Sequence, residues 1–293
     1  MITLTRTIAP TKQAVPFQLA ENQQALVMPI GDVHFATRGW PEHKFRKHIQ
    51  WGLDRGATFV GMGEMLDFTS YSQRQFTAQL RDGTLQELDD MIRTKAEVLA
   101  DILKDTKGHW IGMLEGDHRW DLQDGTSIDQ YLCELMGTAF LGTSALVRLH
   151  PKSAPKGHPE ADTILYVQHG IGTSRTSGGH LNMVDKQVEA VNADIYLMGH
   201  SHSKASSAND RIELTPDGVL THRTVLEART GAWLRGYYQT QVLDNSEAVS
   251  ESRGSYVEQK GYRPSALGGL CIGIGYKKIT NSVFYRPTIH FSV

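Results

Sequence analysis

Residues 25–34 read ALVMPIGDVH, an apolar run that ends in a glycine and two potential metal ligands, Asp32 and His34. Short apolar runs bounded by glycine are typical of strands that are buried on both faces of a sheet. Four more runs end beside a glycine and polar side chains: ATFVGMGE at 57–64, HWIGMLEGDH at 109–118, TILYVQHG at 163–170 and DIYLMGHSH at 194–202. The pattern therefore predicts five buried strands, each followed by a polar cluster.

Three segments beside these strands carry apolar residues at helical spacing, namely 41–55, 85–103 and 181–191. Strands that alternate with helices predict an α/β fold. Open α/β sheets bind their ligands beyond the carboxyl ends of the strands, which is where the five polar clusters lie.

Beyond residue 202 the sequence predicts strands at 211–214, 219–229, 270–276 and 283–291, with no long helix between them. We expect these strands to form a second sheet that packs on the first. The chain is then a single domain over 1–293, with an N-terminal extension at 1–24. Residues 241–293 would add a surface excursion and the C-terminal strands that complete the second sheet.

The composition excludes several classes of protein. The 293 residues carry 30 Lys and Arg against 32 Asp and Glu, and this balance argues against a large basic nucleic-acid surface, although a local one fits it. Two cysteines are too few for a disulfide framework or a thiolate metal site. No apolar run of about 18 residues is present and the first 24 residues are too polar for a signal peptide, so we expect a cytoplasmic protein with no membrane partner.

The polar clusters hold the residue types of a metal centre. Asp32 and His34 are two residues apart, so an extended backbone points both side chains the same way. The same spacing separates His200 from His202. With the strand-end residues added, three carboxylates and four imidazoles, and no thiolate, suit a pair of divalent transition-metal ions that share a carboxylate. The candidate ligands are Asp32, His34, Glu64, Asp117, His169, His200 and His202.

The ordered series GDVH, GEMLD, GDH, HG and GHSH resembles the five blocks of the calcineurin-like metallophosphoesterase superfamily, written D-x-H, G-D-x-x-D, G-N-H-[D/E], H and G-H-x-H. The resemblance spans about residues 25–230. It implies a four-layer α/β/β/α sandwich, in which two packed mixed sheets are flanked by helices. It also implies two divalent metal ions, manganese preferred, with iron, zinc, nickel or cobalt as alternatives.

The resemblance also implies a role for each matching residue. Asp32, His34 and His202 would bind the first metal, and Asp117, His169 and His200 would bind the second. Glu64 would bridge the two metals. His118 would be the catalytic residue that contacts the phosphate and protonates the leaving oxygen, after attack on phosphorus by a hydroxide that bridges the metals.

Three positions depart from the superfamily pattern. Glu64 replaces the usual bridging Asp, and Asp117 replaces the usual Asn, so both keep an oxygen ligand. Arg119 replaces the acidic residue expected after the histidine. Either Asp121 or Asp67 could therefore orient His118.

Arginines are candidates for binding the substrate phosphate, because a guanidinium group can bind two oxygens at once. The candidates are Arg119, Arg38 and Arg175. The segments GAWLRGY at 231–237 and RPSALG at 263–268 resemble phage and prophage members of the superfamily. That resemblance implies a phosphodiesterase or nuclease acting on nucleic acid or nucleotides in a bacterial cell or phage-infected host. The alternatives are a phosphomonoesterase of proteins or small molecules and a non-catalytic, metal-containing binding module.

Overall fold

The structure is a computed structural model that describes residues 15–19, 25–35, 37, 39–68, 80, 82–151, 157, 159–172, 174, 176–237, 256–259 and 261–292. Its described strands are, in chain order, β1 (Val15–Leu19), β2 (Ala25–Ile30), β3 (Thr58–Gly61), β4 (Trp110–Met113), β5 (Ser144–Pro151), β6 (Thr163–Gln168), β7 (Ile195–Met198), β8 (Lys204–Leu214), β9 (Leu220–Thr230), β10 (Cys271–Lys278) and β11 (Tyr285–Ser292). Its described helices are α1 (Glu42–Leu53), α2 (Asp82–Ile102), α3 (Ile128–Met136), α4 (Ser177–Ala190) and the single turn α5 (Tyr256–Gln259), with 3₁₀ turns at Lys104–Thr106 and Pro159–Ala161.

The strands form two mixed sheets. One sheet has five strands in the order β11-β10-β2-β3-β4, and the other has six in the order β1-β5-β6-β7-β9-β8. The pairs β2–β3, β3–β4, β6–β7 and β7–β9 are parallel, whereas β10 runs antiparallel to β2 and β8 antiparallel to β9. Parallel neighbours carry their carboxyl ends to the same edge of a sheet, so the residues that follow them can meet there.

The two sheets pack face to face, and helices cover their outer faces. Val27 of the five-stranded sheet and Leu165 of the six-stranded sheet belong to one buried apolar cluster, which places that cluster between the sheets. Side chains alternate along a strand, so the neighbouring Met28 points to the opposite face and packs with helix residues such as Phe45 and Leu99. Tyr196 packs on the far side with Val184 of α4. The result is an α/β/β/α arrangement, and the predicted fold class is confirmed.

Local signals in the sequence account for the elements that were predicted. All five apolar runs form strands, and the three helical segments appear as α1, α2 and α4, with ends shifted by a few residues. Sequence reasoning missed α3, which begins at the N-cap Ser127 and ends at Gly137 with a left-handed φ of 64°. It also missed β5 and β1, the latter inside the segment expected to be only an extension.

The expectation that the C-terminal strands form one separate sheet is wrong. The hairpin of β8 and β9 adds to the six-stranded sheet beside β7, and β10 and β11 add to the five-stranded sheet beside β2. Each pair therefore completes a sheet begun by earlier strands. Of the predicted surface excursion, residues 241–255 lie outside the described residues. Within the described part of the chain, no helix has the length and apolar character needed to cross a bilayer.

Candidate metal centre

The structure brings all seven predicted ligands together. They fall into two groups, within each of which one nitrogen or oxygen atom per residue lies within 4.8 Å of the others. The first group holds Asp32, His34, Glu64 and His202, and the second holds Glu64, Asp117, His169 and His200. This grouping coincides with the assignment that the resemblance implies. The metal-binding roles themselves stay predictions.

The backbone at these residues is unusual. Among the described residues, six non-glycine residues have a positive φ, and five of them are predicted ligands. Their φ values are 46° at Asp32, 49° at His34, 49° at Glu64, 65° at His200 and 53° at His202. A side chain in this left-handed region costs on the order of 1 kcal/mol or more, and such residues cluster at functional sites.

Glycines allow the strand-end loops to approach one another closely. A Cβ atom at Gly116 would lie 2.4 Å from the backbone nitrogen of Glu64, which is closer than real Cβ contacts. At Gly63, φ is 89°, and a Cβ atom would lie 2.5 Å from the Nδ1 atom of His169. These two positions therefore require glycine if the ligands are to converge.

The first group is arranged around His34. Its Nδ1 atom lies 2.8 Å from Asp67 Oδ2, and because a carboxylate only accepts, Nδ1 donates that hydrogen bond. Its Nε2 atom lies 2.9 Å from His202 Nε2 and 2.8 Å from Glu64 Oε2. Asp32 Oδ1 lies 3.6 Å from His202 Nε2, and the Asp32 carboxylate also accepts from the backbone N–H of His200 at 3.0 Å.

The second group is arranged around Asp117. Its Oδ1 atom lies 3.0 Å from His169 Nε2 and 3.2 Å from His200 Nδ1. The other ring nitrogen of His169 donates to the backbone oxygen of Met62 at 2.7 Å. A histidine that donates a hydrogen bond from one ring nitrogen has its other ring nitrogen fixed in orientation and available as a ligand. This arrangement is typical of metal sites.

Glu64 contributes to both groups through different oxygen atoms. Its Oε2 atom lies 2.8 Å from His34 Nε2, whereas its Oε1 atom lies 3.6 Å from His169 Nε2. The Glu64 side chain is only 3% exposed. The carboxylate is thus placed between the two groups, as a shared ligand would be.

The burial of the candidate ligands and the charges around them shift their pKa values, and the shifts indicate whether the site favours bound cations. Asp32 is fully buried, and this burial raises the pKa of its carboxyl group. Burial would lower the pKa of His34, but the charge of Glu64 and hydrogen bonds to Asp67 and Glu64 raise it to about 10. The pKa of His169 is also raised despite burial, by hydrogen bonds to Asp117 and Glu64. Protons on His34 and His169 therefore offset the charge of the buried carboxylates, and divalent cations would do the same.

The donor set fits divalent transition-metal ions. It combines carboxylate oxygens with imidazole nitrogens and holds no thiolate, which suits manganese, iron, cobalt, nickel or zinc. The two groups share one buried carboxylate, as a two-metal centre requires. One side of the centre is accessible, since 47% of the Asp117 side chain and 35% of the His118 side chain are exposed.

The structure also identifies the partner of His118. Asp67 Oδ1 accepts from His118 Nδ1 at 3.0 Å, while Asp67 Oδ2 accepts from His34. The hydrogen bond to Asp67 raises the pKa of His118. The pKa of Asp67 is held below its ordinary value, because the hydrogen bonds from His118 and His34 outweigh the effect of burial.

Of the three arginines predicted to bind substrate, the structure describes one, Arg119. Arg119 Nε lies 3.2 Å from Glu115 Oε1 and 3.0 Å from Asp121 Oδ1. Asp121 is therefore paired with Arg119, which leaves Asp67 as the residue that orients His118. Arg38 and Arg175 lie outside the described residues.

Two buried residues that sequence reasoning missed support the strand-end loops. Asp129 of α3 is 3% exposed and accepts from the backbone N–H of Gly116 at 3.3 Å. Arg229 of β9 is 1% exposed and donates from Nη1 to the backbone oxygen of Gly199 at 2.8 Å. An arginine inside a run of strand residues is the signal that could have drawn attention to Arg229.

Fold and site together define an α/β/β/α protein with a shared carboxylate–imidazole centre. No family model matches the chain, and no curated protein sequence matches it. The chain is similar to the crystal structure of Vps29 from Chaetomium thermophilum, with a TM-score of 0.35 and 10% identity, over 92% of this chain and 96% of that one. Similarity at this level carries no inference about activity.

Proposed function

We propose that this protein is a metal-dependent phosphodiesterase that hydrolyses a nucleic-acid or nucleotide diester. The observation that carries the proposal is the backbone of the site. Five of the six described non-glycine residues with positive φ are predicted ligands, and all seven predicted ligands fall into two groups that share Glu64. Strained backbone conformations of this kind cluster at functional sites, so the strain at these positions supports a functional role for their side chains.

In the proposed enzyme, one cation would be held by Asp32, His34 and His202. The second would be held by Asp117, His169 and His200, and Glu64 would serve both. Divalent cations held there, with manganese the first choice, would supply polarisation of the phosphoryl oxygens and activation of a water nucleophile.

His118 acts on the leaving group. Its Nδ1–H donates to Asp67, so Nε2 is the ring nitrogen that can deliver a proton. The Asp67 carboxylate favours the protonated imidazole and raises its pKa. A protonated imidazole is the form that a general acid needs to protonate the departing alkoxide.

The charge of the centre favours diesters. Three carboxylates offset three of the four positive charges that two divalent cations would bring. The superfamily's usual asparagine at position 117 would offset one charge fewer. Since Arg119 is already paired with Glu115 and Asp121, it does not restore a full positive charge. The weaker positive field favours a singly charged diester over a doubly charged monoester.

Metal analysis with hydrolysis assays tests the proposal. Chelator-treated protein is reloaded with Mn²⁺ and assayed on bis-p-nitrophenyl phosphate and p-nitrophenyl phosphate. We expect two metals per chain, hydrolysis that depends on metal, and a preference for the diester. Two bound metals with no hydrolysis of either ester would contradict the proposal and favour the binding module. Preference for the monoester would favour the phosphomonoesterase.

A pair of variants ties the activity to the predicted ligands. Asp32→Ala should lower metal content and activity, and it should also lower the melting temperature of the metal-loaded protein, because bound metal stabilises only the folded state. His222→Ala is the matched control, since that histidine lies in β9 with 53% of its side chain exposed. Asp32→Ala that retains two metals would contradict the ligand assignment.

A further inference from the structure

A large cavity lies beside the metal centre. Its volume is about 840 Å³, and its walls come from α1, the start of β8, the segment around Trp233 and residues 264–271. Trp233 connects the cavity to the centre, because its backbone N–H donates to the backbone oxygen of Asp32 at 2.8 Å. Lys204 also lies between the cavity and the centre in the chain, because it lines the cavity and follows the predicted ligand His202 by two residues.

The cavity walls are strongly basic. Among the described residues that line it there is no Asp or Glu, and there are four cations, Lys44, Lys47, Lys204 and Arg235. Lys44 and Lys47 are three residues apart on α1, so they project from one face of the helix. Within the described residues none of the four cations takes part in an ion pair. The positive charge is thus concentrated locally in a chain whose formal net charge is −2.

His48, the only histidine among the described residues of the lining, adds no charge at neutral pH. Burial and the neighbouring Lys204 lower the pKa of His48 to about 4. Its ring packs on Trp233 with the ring centres 4.9 Å apart. The lysines and the arginine therefore define the charge of the cavity.

Exposed aromatic rings accompany the cations. Trp51 and Tyr237 line the cavity, and 39% and 41% of their surfaces are exposed. The guanidinium group of Arg55 lies over one face of Trp51, 4.2 Å from the ring centre. The Tyr237 hydroxyl donates to the backbone oxygen of Tyr262 at 2.9 Å, which fixes the position of the ring. Cations that meet phosphates, together with rings that stack on bases, are typical of surfaces that bind single-stranded nucleic acid.

We infer that this cavity binds the part of a single-stranded nucleic acid that flanks the scissile diester. The inference rests on the proposed function and names its substrate class. The lysines and Arg235 would contact backbone phosphates, while Trp51 and Tyr237 would stack on bases. A strand bound in this cavity would reach the metal centre past Trp233 and Lys204.

Binding without catalysis tests the inference. Protein that has been freed of metal with a chelator is titrated into a fluorescein-labelled dT₁₂ oligonucleotide. Fluorescence anisotropy gives Kd at several salt concentrations. The double variant Lys44→Gln/Lys47→Gln should weaken binding about tenfold or more and reduce the slope of log Kd against log salt by about 1.4, or about 0.7 for each lost phosphate contact. The matched control is Lys277→Gln/Lys278→Gln, which removes the same charge from exposed positions of β10 outside the cavity.

A third variant separates nucleic-acid binding from general anion binding. Trp51→Leu should weaken dT₁₂ binding about fivefold or more, because a stacking platform is lost. It should leave binding of inorganic polyphosphate, measured by competition, unchanged. Melting temperatures show that each variant is folded.

Three results would overturn the inference: no binding of dT₁₂ by the chelated parent, equal weakening by the two double variants, or equal effects of Trp51→Leu on dT₁₂ and polyphosphate. These results are independent of the proposed function. That function fails instead when the metal-loaded parent does not hydrolyse bis-p-nitrophenyl phosphate, an assay that needs no strand binding.

Discussion

Asp67 holds the imidazole of His118 by a hydrogen bond of 3.0 Å between Oδ1 and Nδ1. The second oxygen of the same carboxylate accepts from His34 in the first ligand group. The predicted general acid is therefore linked to the first group of candidate metal ligands through one shared carboxylate. Its position and its proton affinity both depend on that contact.

The first prediction concerns His118 itself. His118→Asn should lower turnover by roughly 100-fold or more while metal content stays at the parent value, because a general acid contributes on that scale. The loss should be larger for a diester with a poor leaving group than for bis-p-nitrophenyl phosphate, whose leaving group needs little protonation. An unchanged rate on both esters would remove His118 from the chemistry.

The second prediction concerns Asp67 as a positioning residue. Asp67→Asn removes the carboxylate that raises the pKa of His118, so the general acid should lose its proton at lower pH. The alkaline limb of the pH profile of kcat/KM should move toward acid, and turnover should fall. Asp121→Asn is the control, because Asp121 pairs with Arg119 and not with His118. The assignment of Asp67 would be wrong if both variants shifted the profile equally or neither did.

Sequence reasoning identified the seven residues that the structure brings together because their signals are local. An apolar run, a glycine and a polar residue within about ten positions are enough to place Glu64 or His169 at the end of a strand. No local signal in the sequence identifies the residue that accepts the hydrogen bond from His118, because Asp67 lies 51 positions away. Choosing between Asp67 and Asp121 requires the path of the chain after β3, and the structure shows Asp121 occupied by Arg119.

Long-range pairing explains what else could not be predicted. Local patterns predict strands within both β8 and β10, yet β8 pairs with β9 in one sheet and β10 pairs with β2 in the other. The partner of a strand depends on contacts across more than 200 positions, as between Val27 and Ile272, which a short window does not contain. The basic cavity is likewise assembled from segments far apart in sequence.

The third prediction concerns pH and the support beneath Gly116. Burial, reinforced by the charge of Glu115, raises the pKa of Asp129 from 3.8 to about 7, although the N–H of Gly116 opposes the shift. Between about pH 4 and 7 the folded protein thus binds one proton more than the unfolded chain, so Asp129 makes the free energy of unfolding fall as pH rises.

Asp129→Asn removes this dependence and keeps an oxygen that can accept from Gly116. In chelated protein the variant should gain stability relative to the parent as pH rises from 4 to 8, by on the order of 2–4 kcal/mol. Denaturant unfolding at several pH values measures the difference. Asp101→Asn, at a site with 73% of the side chain exposed, should show no such trend. A constant difference between parent and Asp129→Asn would contradict the assignment.

The fourth prediction concerns Asp117 and substrate charge. Asp117→Asn adds one unit of positive charge to the metal-loaded centre, which should strengthen the attraction of a doubly charged monoester. The ratio of activity on p-nitrophenyl phosphate to activity on the bis ester should therefore rise. Both proteins must hold two metals for the comparison. A fall in the ratio at full metal content would refute the charge argument and return the phosphomonoesterase to equal standing.

In the proposed enzyme, seven side chains from five strand ends form one two-metal centre. Anomalous scattering from crystals grown with Mn²⁺ shows where the metal ions bind. We expect two anomalous peaks, one among Asp32, His34 and His202 and one among Asp117, His169 and His200, with Glu64 between them. No peak at these residues, or a single peak that leaves either group without a metal at saturating Mn²⁺, would contradict the two-metal centre.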